Sequence, residues 1–156
     1  MNKILFSTAI FGLLLSAVPA AAQEKPVTLD SEAKLVRIVE ENGNRTTVLV
    51  DPEVVVPGDQ IRFVTRYNNT GAETVDDFVV VNPVPDSIRV ADESAAELEV
   101  SVDGGANWGK LASLTVAGED GATRPAQSGD VTHIRWTIAK LEPGEAGEVG
   151  YSGIVE

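Results

Sequence analysis

The sequence predicts an all-β protein, an antiparallel β-sandwich of about seven to nine strands with an added N-terminal hairpin. Several segments alternate apolar and polar residues with a period of two, as a half-buried strand requires. Turn signals rich in Gly, Pro, Asn and Asp separate them every ~8 to 12 residues. Beyond the first residues, no apolar stripe of helical period runs longer than about two turns.

The first residues carry a targeting pattern. Lys3 gives a positive start, Ile4 to Val18 is nearly all apolar, and Pro19 to Ala22 ends in small residues. Ala20 and Ala22 sit at minus three and minus one to a cut before Gln23, so residues 1–22 are predicted to be a cleaved signal peptide. The apolar run falls short of the roughly 20 residues that a membrane-spanning helix needs. With no cysteine, neither a lipid-modified N-terminal Cys nor a disulfide can form. The expected location is therefore periplasmic or extracellular, with no transmembrane segment in the mature chain.

Residues 23–33, with Pro26, read as a flexible leader, and 34–156 as one domain. Lys34 to Val39 and Arg45 to Val50 flank Asn42-Gly43, a strong hairpin signal because both residues tolerate positive φ. Asp51-Pro52 and Pro57-Gly58-Asp59 break the chain again. The next strand has the clearest alternation. Ile61, Phe63, Thr65 and Tyr67 share one face, while Arg62, Val64 and Arg66 share the other. Asn68 to Gly71 turns the chain.

The continuous run Phe78 to Val81 suggests a strand covered on both faces, or one at the centre of a sheet. Pro83 and Pro85 stop it. Ser87 to Val90 reads as a short strand and Asp92 to Ala96 as a polar loop. In Glu97 to Asp103 the alternation places Leu98, Val100 and Val102 inward, with Glu97, Glu99 and Ser101 outward. Trp108 begins a return toward Leu111 and Leu114, and Gly118 to Gly129 reads as an exposed loop. Thr132 to Ile138 places Ile134, Trp136 and Ile138 inward. A final strand, Gly147 to Val155, follows a Pro143-Gly144 turn.

Two resemblances follow from these residues. Pro57-Gly58-Asp59, the alternating strand, Tyr67 to Gly71 and then Phe78 to Pro85 resemble the bacterial conserved-repeat domain called DUF-eleven. Trp136-Thr137 followed by Leu141 to Glu145 resembles that domain's closing half. The resemblance implies an immunoglobulin-like sandwich on a secreted or envelope protein, and it brings no catalytic residues. Those domains often stand in tandem, whereas this sequence carries one copy. The second resemblance is local. Ser101, Asp103, Gly105 and Trp108 are spaced as in the Asp-box of sialidases and other β-propellers, a hairpin-stabilising motif. A single copy cannot build a propeller, whose blades repeat, so these residues are expected to form a structural turn.

Composition excludes several function classes. With 24 acids against 12 bases the net charge is -12, and removing residues 1–22 takes away one further base. Such a surface repels nucleic acid and anionic headgroups. His133 is the only histidine, and Cys-based zinc sites are impossible. No serine sits in a nucleophile elbow, and no glycine-rich phosphate loop is present. Asp76-Asp77 and Asp92-Glu93 could offer oxygen ligands to calcium, but without the spacing of a dedicated loop.

The expected function is a non-catalytic structural or protein-interaction module that meets another envelope or secreted protein, or a second copy of itself. No catalytic, cofactor or metal residues are assigned. A calcium- or carbohydrate-binding module is the alternative, motivated by acidity and exposed loops. An enzyme built around His133 is a remote third. Arg62 and Arg66, basic on an acidic chain, are the candidate interaction face and are expected to pair with carboxylates on neighbouring strands.

Overall fold

A computed structural model describes residues 26–118 and 121–156. The predicted signal peptide and residues 23–25 of the predicted leader lie outside the described residues. The chain forms β1 (Val27–Glu41), β2 (Asn44–Val50), β3 (Gln60–Asn69), β4 (Val75–Pro83), β5 (Ile88–Val90), α1 (Asp92–Glu97), β6 (Glu99–Ser101), β7 (Thr115–Ala117), β8 (Thr123–Pro125), β9 (His133–Leu141) and β10 (Ala146–Val155). Every pairing is antiparallel.

One sheet runs β2-β1-β3-β10-β5, a second runs β4-β9-β6, and β7-β8 is a separate ribbon. The first two sheets face each other, and aromatic rings join them. Tyr151 of β10 stacks on Phe63 of β3 at 4.7 Å and meets Trp136 of β9 at 6.4 Å. Around them Val90, Ala95, Val100, Val131 and Ile134 form the buried core. Burying each large aliphatic side chain there is worth about 1.5–3 kcal/mol. The all-β sandwich predicted from alternation is the architecture found.

The centre of the larger sheet, β3 against β10, is bracketed by two matching turns. At Val56 to Asp59 the Asp59 carboxylate accepts from the Val56 amide at 3.0 Å, with Gly58 at φ 92°. At Glu142 to Glu145 the Glu145 carboxylate accepts from the Glu142 amide at 2.8 Å, with Gly144 at φ 77°. Proline presets φ at the second position and glycine supplies the positive φ at the third, as a type II turn requires. Each turn also grips the far end of the other's strand. Gly58 donates to the Val155 carbonyl at 2.8 Å, and Gly144 donates to the Asn69 carbonyl at 2.8 Å.

Several expectations are corrected. Residues 27–33 are not a loose leader. They form the first half of β1 and pair with β3 from Val27↔Asn69 to Leu35↔Ile61. Val27, Leu29, Ser31 and Ala33 share the face that Phe63, Thr65 and Tyr67 take on β3, but Ser31 interrupts the apolar pattern and Leu29 is half exposed. β4 is neither central nor covered on both faces. It is the edge of its sheet, with Val80 buried and Val79 and Val81 each 45% exposed. Asp92 to Ala96 belongs to the helix α1, which is held because Ala95 is buried in the core. The expected loop Gly118 to Gly129 contains β8 and the start of a 3-10 turn, Ser128–Asp130, pinned by a two-pronged Arg124–Asp130 pair at 2.7 Å.

Two residues expected to face outward are buried. Ser101 is covered by its own turn, and Val64 is buried on the charged face of β3. Val64 sits between Arg62 and Arg66 on its own strand and opposite Glu32 and Gly150 on the neighbouring strands. Long charged side chains lay their stems over such a position.

Candidate interaction surface

The two arginines on the outer face of β3 have different surroundings. Arg66 is flanked across the sheet by Asp30 and Glu148. Its guanidinium reaches Glu32 at 2.5 Å and Glu148 at 3.7 Å. Hydrogen bonds from Lys34 and then Arg66 hold the Glu32 carboxyl below its ordinary pKa. The carboxylate pairing expected for Arg66 is therefore present. Arg62 makes no ion pair among the described residues. It lies over Gly150, where a Cβ would come within 3.3 Å of its Nη2. The two side chains share a face but form no joint site.

The Ser101 to Trp108 segment folds as a tight turn on the outer face of the smaller sheet. Ser101 Oγ donates to Asp103 Oδ1 at 2.7 Å and accepts from the Gly105 amide at 2.9 Å. Asp103 Oδ1 also accepts from the Asn107 amide at 2.9 Å, and Oδ2 accepts from the Asn107 side chain at 2.6 Å. The Asn107 amide, then the Asn107 side chain and Ser101 hydroxyl, hold the Asp103 carboxyl down at about 2. Gly104 and Gly105 take positive φ, 76° and 90°, which an L side chain resists. All four predicted motif residues thus join in one turn.

Trp108 completes it. Its Nε1 donates to the Gly105 carbonyl at 2.9 Å, and Arg135 places its guanidinium 4.6 Å over the ring. Glu99 holds the same guanidinium from the side with two bonds of 2.7 and 2.8 Å. His133 packs edge-on to Trp108 at 6.4 Å, with Nδ1 3.2 Å from Thr132 Oγ1. Asp92, one of the acids considered for calcium, accepts instead from Ser128 Oγ at 2.6 Å. Among the described residues, no three metal-ligating side chains come together.

The hairpin of β1 and β2 carries exposed apolar side chains that periodicity alone does not predict. β1 runs past the start of β3, and from Val36 to Glu41 it pairs only with β2. The resulting two-stranded arm ends in Asn42 and Gly43, both at positive φ. Ile38 is 71% exposed and Leu49 52% exposed, and cross-strand pairing puts Val36, Leu49 and Ile38 on one face. Among the described residues the outer edge of β2 is unpaired over Asn44-Arg-Thr-Thr-Val-Leu-Val50, with Arg45 as its only charge. Val54, Val55 and Val56 are exposed close by in the chain. The available signal was the β-branched run 46–50. Its exposure depends on where β3 begins, which periodicity does not reveal.

The last feature is a crevice between the sheets, lined by Thr65, Asn82, Pro83 and Tyr151 among others. At its base Ser31 Oγ and Thr65 Oγ1 lie 2.9 Å apart, and Asn82 Nδ2 donates to Thr65 Oγ1 at 2.8 Å. Burial lifts the Tyr151 hydroxyl to about 12.

The chain matches no protein-family model, no curated protein and no solved structure. Among the described residues, no helix is long and apolar enough to cross a membrane.

Proposed function

We propose that this protein is an exported, non-catalytic, immunoglobulin-like interaction module of the bacterial envelope, and that it meets a partner protein through the β1–β2 arm. The observation that carries this is the arm itself, a ribbon with an unpaired β2 edge and apolar side chains on both faces. An unpaired edge with a single charge, Arg45, offers free backbone donors and acceptors to an incoming strand. Exposed Ile38 and Leu49 add apolar area of the kind that marks protein contacts. The signal-peptide pattern of residues 1–22 and the resemblance to DUF-eleven modules support export and an envelope setting.

The test is site-specific photocrosslinking in the native cell. A photoreactive residue at Leu49 is expected to give a discrete crosslinked species identified by mass spectrometry, and one at Thr137, on the opposite sheet, is not. Adding Thr47→Lys is expected to abolish the Leu49 product. Equal labelling at both positions, or none at Leu49, would refute the arm as the contact.

A further inference from the structure

The two sheets are unequal. Five strands face three, and the edge strand β4 ends in Pro83-Val84-Pro85 before its sheet reaches the flank of β1. The inner face of β1 and the start of β3 are therefore incompletely roofed. Two adjoining cavities of about 300 and 340 Å3 occupy the gap, and both are lined by Ala33, Phe63 and Pro85. Together they make one trough, running from Thr65, Asn82 and Tyr151 at one end to Ile61, Ile88 and Val155 at the other.

Tyr151 distinguishes this trough from an incidental gap. Its side chain is 1% exposed, yet its hydroxyl meets no hydrogen-bond partner among the described residues. The hydroxyl is not fully enclosed, and its open side meets the crevice that Tyr151 lines. A donor held in that state is poised for an acceptor supplied from outside.

The walls restrict what the acceptor can belong to. No Lys or Arg lines either cavity, and the Glu32 carboxylate at the rim is held on the outer face of the sheet by Lys34 and Arg66. An anionic ligand would lose its hydration there without meeting a counter-charge. Pro83 and Pro85 have no N–H, and the Val84 N–H is already donated to the Thr132 carbonyl at 2.8 Å. This wall cannot hydrogen-bond an added strand, so the occupant is held by apolar contact and by side-chain polar groups, of which the Tyr151 hydroxyl has no partner among the described residues.

We propose that this trough binds a neutral, elongated apolar molecule whose single hydrogen-bond acceptor meets the Tyr151 hydroxyl. The site is separate from the β1–β2 arm, and the two proposals stand or fall independently.

The experiment is an amide and methyl NMR titration of the full mature chain with 1-octanol and, in parallel, with octanoate. Octanol is expected to shift resonances of Ala33, Phe63, Thr65 and Tyr151 and to bind at least tenfold more tightly than octanoate. Tyr151→Phe keeps the ring stack and is expected to weaken octanol about fivefold or more. Ala33→Phe fills the trough from another strand and is expected to abolish binding, whereas Leu49→Lys leaves it unchanged. Dispersed shifts with no cluster at these residues, equal affinity for octanoate, or wild-type affinity in Tyr151→Phe would each overturn the proposal.

Discussion

The side-chain amide of Asn69 donates to the backbone carbonyl of Leu141 at 3.0 Å, joining the end of β3 to the end of β9 in the opposite sheet. The same nitrogen donates to the Glu73 carbonyl at 2.8 Å, and Oδ1 accepts from the Gly71 amide at 3.0 Å. The side chain is fully buried. One residue thus closes the β3–β4 turn and ties the two sheets together at that end.

Asn69→Ala leaves those buried backbone groups without partners. Unsatisfied buried groups cost about 1–3 kcal/mol each, and some of the loss is recovered by water at the opened turn. The expected destabilisation is about 3 kcal/mol in urea unfolding, with an unchanged m-value. A loss below about 1 kcal/mol would mean that the sheets are held together at this end by packing alone.

Asp103 predicts an acid response. Its folded pKa, about 2, lies below the ordinary value of 3.8. The unfolded chain therefore binds a proton there before the folded one does. The stabilisation is fully present above pH 4 and is lost as pH falls from about 4 toward 2. Asp103→Asn is expected to flatten this part of the melting-temperature profile relative to wild type. Parallel profiles would show that the turn hydrogen bonds do not depend on the charge.

Tyr151 predicts the opposite limb. Burial places its folded pKa at about 12 against an ordinary 10.0. Above pH 10 the unfolded chain releases a proton that the folded chain keeps, so stability falls from pH 10 to 12. Tyr151→Phe is expected to lose less stability than wild type over this interval, measured by urea midpoint at each pH.

The arm predicts neutrality in the fold and change in association. Ile38→Lys and Leu49→Lys place charges on exposed positions, so the unfolding free energy is expected to stay within about 0.5 kcal/mol of wild type. Association detected by crosslinking at the arm is expected to disappear. A variant that unfolds instead would show that these side chains pack in the free protein.

Gly150 predicts a steric limit. A Cβ there would approach the Phe63 carbonyl oxygen to 2.4 Å, inside the β3–β10 ladder. Gly150→Ala is expected to cost about 3 kcal/mol, at the upper end of overpacking. A near-neutral result would mean that the two central strands separate readily.

The fold was largely legible in the sequence because it is written in local signals. Ile61, Phe63 and Tyr67 alternate, Asn42-Gly43 turns, and Pro57-Gly58 and Pro143-Gly144 preset backbone angles. Other features depend on neighbours. The run Phe78 to Val81 is as apolar as a central strand, but nothing in it says that only β9 lies beside it. Helix α1 spans six residues, too few for a helical period to emerge. The Ser101-Asp103-Gly105-Trp108 turn was legible because its bonds are made within its own loop. The hairpin was legible too, but its projection beyond β3 and the crevice were not. Each arises where one strand outruns another, a mismatch of lengths and of strand numbers between sheets.

The central place of β10 also governs the order in which this protein can assemble. β1, β2 and β3 are neighbours in sequence and can pair as soon as they leave the ribosome. β5 has β10 as its only partner in the sheet, and β10 is the last of the ten strands to be synthesised. Pairings such as Phe63↔Tyr151 close a loop over most of the domain, and such non-local closure slows folding. Until then the inner edge of β3 is a second open template beside the β2 edge. A chain stalled before β10 is a ribbon with two sticky sides, and its hazard is aggregation during synthesis rather than instability once made.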